Sequence, residues 1–325
     1  MLYTRREIGK LALMAVPAAS LVESSFAAPA QARKPNSVIA GVNIGTITYS
    51  YRSMPDQGAE ATLRYVLESG ISQIELMNGP AESFAGAPQG ARGGGGGRRG
   101  EPPTPEQQAA QRESADRLKK WRTSVSMDRF KQLRRMYDDA GVKIYAWKAL
   151  NPNMSDEEFE YVFNVAEALG CTHTTLELPT DVAQLKRIGA FAEKRKIYAA
   201  YHTHLQGSMT AFDQAFAVSK ANRSNVDLGH YVAGTGESPI PFLRKFHDRI
   251  ASVHLKDRQT PAHGAGNLPW GTGDTPLKEI LQLMKNEKYT FPASIEFEYD
   301  VPPGSDAVRE VAKCLDYCKA ALAAT

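Results

Sequence analysis

Cysteine is scarce: Cys171, Cys314 and Cys318 form an odd set without zinc-type spacing. That sets aside a disulfide scaffold and a cysteine-bound structural zinc, and Cys314 and Cys318, four apart on an expected helix, read as packing residues. An excess of one charge is missing too. A formal net charge of +3 over 325 residues gives no electrostatic footprint for nucleic acid or for an anionic membrane surface. The apolar run from Leu11 to Val22 is far shorter than the roughly 20 residues of a membrane span, so no stable membrane insertion is expected. No glycine-rich phosphate fingerprint follows the first expected strand. A homo-oligomer is compatible with all of this.

The first 32 residues read as an address rather than as fold. Thr4-Arg5-Arg6-Glu7-Ile8-Gly9-Lys10 resembles a twin-arginine export signal, and Ala28-Pro29-Ala30 and Ala30-Gln31-Ala32 offer A-x-A cleavage sites. The expected location is periplasmic or secreted. Twin-arginine export carries folded cargo, which suits a protein loaded with its metal beforehand.

What the chain has in quantity is short apolar runs with a charged residue near the end. Strands are expected at about 38–46, 71–77, 142–148, 173–178, 197–204, 224–229, 250–256 and 291–298. Side chains alternate along a strand, so the flanking Ile74 and Leu76, Val226 and Leu228, Val253 and Leu255, Ile295 and Phe297 share one face. Glu75, Lys148, Glu177, His202, His204, Asp227, His254, Lys256, Glu296 and Glu298 share the other. Helical periodicity fills the gaps: Phe130, Leu133, Met136 and Tyr137 form one stripe, and Ser155 with its early acids opens a helix that Gly170 closes. This alternation predicts an α/β fold, a single-domain (β/α)8 TIM barrel over 33–325, with its active site at the strands' C-terminal ends. An open doubly wound sheet would not bring these charges to one point.

A segment at about 80–123, after the second strand, breaks the rhythm. Five consecutive glycines and Glu101-Pro102-Pro103-Thr104-Pro105 cannot pack a core, so this insertion is expected to be mobile. Gln107 to Trp121 adds a helix to it, and the insertion serves either as a flap over the barrel mouth or as a passive loop.

Buried charges that converge need partners or a cation. Glu177, Asp227, His254 and Glu296 are the expected metal ligands, and carboxylates with one imidazole point to Mn²⁺ first, with Mg²⁺, Co²⁺ or Zn²⁺ as alternatives. At these residues the chain resembles the xylose-isomerase-like sugar phosphate isomerase/epimerase superfamily. The resemblance rests on Asn225-Val226-Asp227-Leu228-Gly229-His230, Ala251-Ser252-Val253-His254-Leu255-Lys256-Asp257, Gly271-Thr272-Gly273-Asp274, Ser294-Ile295-Glu296-Phe297-Glu298 and Tyr201-His202-Thr203-His204, and it covers about 38–322. It implies a barrel with one divalent metal and maps three ligands onto Asp227, His254 and Glu296. The fourth is open. Relatives place a glutamate on strand five, where this chain has His202 and His204, so either Glu177 or one of those histidines serves.

The expected catalytic residues are Glu177, His202, His204, Glu296 and Lys256; the expected substrate-binding residues are Lys148, His230, Trp270 and Glu75. Lys148 and Lys256 either hold substrate oxygens or pair with Glu75 and Asp257. Metal-assisted removal of a proton α to a carbonyl gives isomerase or epimerase chemistry on an unphosphorylated keto-sugar; loss of a β-substituent gives a lyase or dehydratase acting on a 3-keto-glycoside. An endonuclease-IV-like repair site would need further histidines on early strands. A sugar-binding barrel without catalysis would lack the metal set.

Overall fold

Eight parallel strands close on themselves in the computed structural model, which describes residues 34–88 and 104–324. They are β1 (Val42–Ile47), β2 (Gln73–Met77), β3 (Lys143–Lys148), β4 (His173–Glu177), β5 (Tyr198–His202), β6 (Asn222–Asp227), β7 (Ile250–Leu255) and β8 (Ala293–Ile295). Each pairs with the next, and β8 returns to β1 with Ile295 opposite Thr46. The fold is the expected (β/α)8 barrel. The twin-arginine segment and the run of glycines lie outside the described residues.

The first and last strands differ from expectation for local reasons. Ala40 and Gly41 both take positive φ, 49° and 84°, so Val38–Ile39 folds back antiparallel on β1. The last strand keeps only Ala293–Ile295, which leaves Glu296 and Glu298 on the extension beyond it.

The two strand faces separate as the alternation requires. Ile74, Leu76, Val226, Val253, Leu255 and Ile295 are fully buried in the hydrophobic core, whereas Glu75, Asn225, Ser252 and His254 are fully buried polar groups. A barrel interior is ordinarily filled by branched apolar side chains; this one is filled by a hydrogen-bonded polar column. Tyr145 belongs to it, its hydroxyl donating to Ser294 Oγ at 2.8 Å. Gly45 makes room: a Cβ there would stand 2.8 Å from the Tyr145 ring and 2.9 Å from the Gln73 carbonyl oxygen.

The surrounding helices follow their end signals. Ser155 and Glu158 form a capping box on Asp156–Leu169, and Gly170 closes it at φ 75°. Among the described residues no helix is long and apolar enough to cross a membrane.

Part of the insertion is well-defined structure. Asn78–Phe84 is helical, and Thr104 with Gln107 caps a second helix, Pro105–Arg122, so the region without regular packing signals ends before Thr104. This second helix is polar along nearly its whole length and is fastened at its C-terminal end. Arg122 Nε donates to Glu82 Oε1 at 2.8 Å, Tyr161 Oη donates to the same oxygen at 3.1 Å, and Glu158 lies 3.4 Å from Arg122 Nη1. Both Arg122 and Glu82 are buried. Removing one partner would strand a buried charge, so Arg122→Met is expected to cost about 3–5 kcal/mol in urea unfolding. The double variant Glu82→Gln/Arg122→Met should recover much of that loss; equal stability of wild type and the single variant would refute the latch.

Candidate active site

The site forms where the polar column reaches the C-terminal ends of the strands. His202 ends β5, Asp227 ends β6, His254 is the fifth residue of β7 and Glu296 follows β8. All four side chains are buried, and one ligand atom from each lies within 4.8 Å of the others. Asp227 also opens the helix Leu228–Thr235, its Oδ1 accepting from the His230 backbone N–H at 2.7 Å. Its Oδ2 therefore faces the cluster. Lys256 Nζ lies 3.0 Å from that oxygen, but without hydrogen-bond alignment.

Lys256 enters beneath this helix, and Gly229 permits it: a Cβ at Gly229 would stand 2.3 Å from Lys256 Cγ. The ammonium reaches Glu296 Oε2 at 2.8 Å and Glu298 Oε2 at 2.5 Å. Burial works against its charge, but Asp227, Glu296 and Glu298 together keep it firmly protonated. Burial would likewise neutralise His254, yet Glu296 at 2.9 Å and Glu75 at 2.8 Å push its pKa up to about 10. His202 lacks such support. Its burial, with the His254 and Lys148 charges nearby, holds its pKa down to about 3. Desolvation alone would raise Glu75; His254, Lys148 and the Thr175 hydroxyl bring it down to about 2.

A second group sits at the rim. Glu177 is half exposed and lies 3.0 Å from Lys148 Nζ and 3.2 Å from His204 Nδ1. Burial opposes its charge, but the His204 hydrogen bond and Lys148 hold its pKa at about 2. The same Glu177 hydrogen bond raises His204 above the usual histidine range. His202 belongs to this group too, since one atom each of Glu177, His202 and His204 lies within 4.8 Å of the others. Ring centroids run His254–His202 at 4.6 Å, His202–His204 at 5.0 Å and His204–His230 at 4.8 Å, a file of imidazoles from floor to rim. His230 accepts from Arg258 Nη1 at Nδ1, 2.5 Å away.

The structure therefore brings together Asp227, His254 and Glu296, with His202 rather than Glu177 beside them. Glu75 lies below the cluster, fully buried and bonded to protein, not at the mouth where a substrate would touch it. Lys148 pairs with Glu177 instead of Glu75, and Lys256 pairs with Asp227, Glu296 and Glu298 instead of Asp257. Asp257 instead accepts backbone N–H bonds from Gly271, Thr272 and Gly273 and ties down that loop. Trp270 packs edge-on to Tyr317 at 5.8 Å. Sequence reasoning missed Asn225 and Arg258, though Asn225 stands two residues from Asp227 and so on the same face of β6.

The donor set fits a divalent cation. Glu75, Asp227, Glu296 and Glu298 set four carboxylates against the Lys256 ammonium and the His254 imidazole, and Asp227 Oδ2 has no hydrogen-bond partner. Excess buried negative charge of this kind is stabilised by a cation.

A closed barrel with buried imidazoles and carboxylates at the C-terminal ends of its strands has the architecture of a TIM-barrel enzyme. A family model described as Xylose isomerase-like TIM barrel matches residues 112–318, and the chain belongs to that family. It is 26% identical over 137 residues to an inosose dehydratase of Clostridium tetani (36% of this chain, 45% of that protein) and 30% identical over 124 residues to one of Clostridium beijerinckii (36% and 35%). The chain thus spans less than half the length of these two relatives. A sugar phosphate isomerase/epimerase structure from Parabacteroides distasonis superposes with a TM-score of 0.59 at 17% identity, covering 88% of this chain and 98% of the other.

Elemental analysis checks the ligand assignment. His202→Ala, His254→Ala and Glu296→Gln are each expected to lose bound divalent metal, whereas Glu177→Gln is expected to retain it. The reverse pattern for His202 and Glu177 would restore the glutamate as ligand.

Proposed function

We propose that this protein is a divalent-metal-dependent isomerase or epimerase that removes and returns the proton α to the carbonyl of an unphosphorylated keto-sugar. The observation that carries this reading is the buried quartet of His202, Asp227, His254 and Glu296, in which Asp227 Oδ2 makes no hydrogen bond. These four residues would hold the metal, Mn²⁺ by the mixture of oxygen and nitrogen donors. When bound, the ion would polarise the substrate carbonyl and lower the cost of the enolate.

Proton transfer falls to two pairs beside the quartet. Glu177 engages His204 Nδ1, which leaves His204 Nε2 to exchange a proton with substrate. Glu298, held 2.5 Å from the protonated Lys256, forms the other pair, with its carboxylate as the group that takes the proton. Two such pairs suit removal of a proton by one group and its return by another. The two lysines at the site support an unphosphorylated substrate: Lys148 is engaged by Glu177, and Lys256 by Asp227, Glu296 and Glu298, so both ammonium charges are already matched by carboxylates. Twin-arginine export of the chain would also place it among free sugars.

Dehydration is the second reading, and the inosose dehydratase relatives favour it. It shares the first step and diverges when the enolate expels a β-hydroxyl.

Free ketoses and 3-keto-glycosides incubated with the manganese-loaded protein in D2O separate the outcomes. Epimerisation or isomerisation predicts deuterium at the α-carbon of recovered sugar; dehydration predicts an unsaturated ketone that absorbs in the ultraviolet. His204→Asn should slow either reaction about 10²- to 10⁴-fold with metal retained. Neither exchange nor elimination with any keto-sugar would refute the proposal.

A further inference from the structure

Glu75 and Asn225 stand outside the reacting groups, yet both are fully buried directly under them. Glu75 uses both oxygens. Oε1 accepts from the Thr175 hydroxyl at 2.6 Å, and Oε2 meets His254 Nε2 at 2.8 Å and Asn225 Nδ2 at 3.4 Å. An ionised carboxylate can only accept. It therefore demands a proton on His254 Nε2 and turns the NH2 group of Asn225 toward itself.

The orientation of that amide settles the rest. Asn225 Nδ2 also donates to Ser252 Oγ at 2.6 Å, and Ser252 is held in turn by His173 Nε2 at 2.9 Å. With its NH2 committed on that side, Asn225 presents Oδ1 to His202 Nδ1, 2.9 Å away. A carbonyl oxygen accepts and cannot donate, so His202 carries its proton on Nδ1 and offers the Nε2 lone pair. One carboxylate thus fixes two imidazoles, His254 directly and His202 through an amide. The two histidines turn different nitrogens to the site, Nδ1 from His254 and Nε2 from His202.

We infer that Glu75 and Asn225 are positioning residues that set which nitrogen of His254 and of His202 faces the cluster. The inference rests on the reading of that cluster as a metal site. It explains a buried carboxylate that substrate does not reach, and it gives the polar filling of the barrel axis a purpose. Glu75→Gln places an amide against His254 that can donate as well as accept, so the imidazole loses its fixed tautomer. Asn225→Leu keeps the volume and removes the acceptor for His202.

Two measurements decide the matter. Long-range ¹H–¹⁵N correlation spectra of zinc-loaded, histidine-labelled wild type should show His254 protonated at Nε2 and His202 at Nδ1. Calorimetric titration of the metal-free proteins with Mn²⁺ should show each variant binding about 10- to 100-fold more weakly than wild type, with circular dichroism confirming the fold. The opposite tautomers, or folded variants that bind Mn²⁺ as tightly as wild type, overturn the inference and leave the proposed function standing. Wild type that binds no divalent metal overturns both. If a variant fails to fold, the wild-type tautomers alone decide.

Discussion

Everything at this site depends on keeping acidic groups out of water at the end of a closed barrel. Glu75 and Asp227 are fully buried and Glu296 nearly so, each close to another charged group. Such groups are costly in a low-dielectric interior unless hydrogen bonds and opposite charges compensate them. The chain supplies part of that compensation itself: Lys256 spans Asp227, Glu296 and Glu298, and His254 bridges Glu75 and Glu296. Two cationic groups against four carboxylates leave that compensation incomplete, and Asp227 Oδ2, beside Lys256 but without a hydrogen bond, is where it falls short.

The barrel makes this concentration of charge achievable. Closure leaves no exposed strand edge, and the apolar face of each strand is spent on the helices. The axis is then free to carry a polar column running from the Tyr145–Ser294 bond through Glu75, Asn225 and Ser252 up to the histidines. Rigidity follows because nearly every member of the column has a specified partner. At the rim, Glu177 and His204 are half exposed, as suits groups that meet a substrate.

The architecture was legible because strand alternation is a strong physical signal. Runs such as Ile74-Glu75-Leu76 and Val253-His254-Leu255 state which face is buried against helices and which points to the axis. Side-chain height and direction were not legible. Glu75 reads as a mouth residue, but it is central in β2 and stands below the rim. Glu177 and His202 are register partners at the same level, so position alone does not choose a ligand between them. Lys148 and His204 draw Glu177 outward, while Asn225 holds His202 inward, and those contacts come from β3, from the segment after β5 and from β6. Arg122 and Glu82 show the same limit, since their pairing spans the glycine- and proline-rich stretch, whose course the sequence pattern does not define.

Anomalous diffraction from crystals soaked in manganese tests the central claim most directly. The account predicts a metal peak bounded by His202, Asp227, His254 and Glu296, with Glu177 still paired to Lys148 and His204. A peak held by Glu177 and His204 at the rim, or no peak at the barrel mouth, would contradict it.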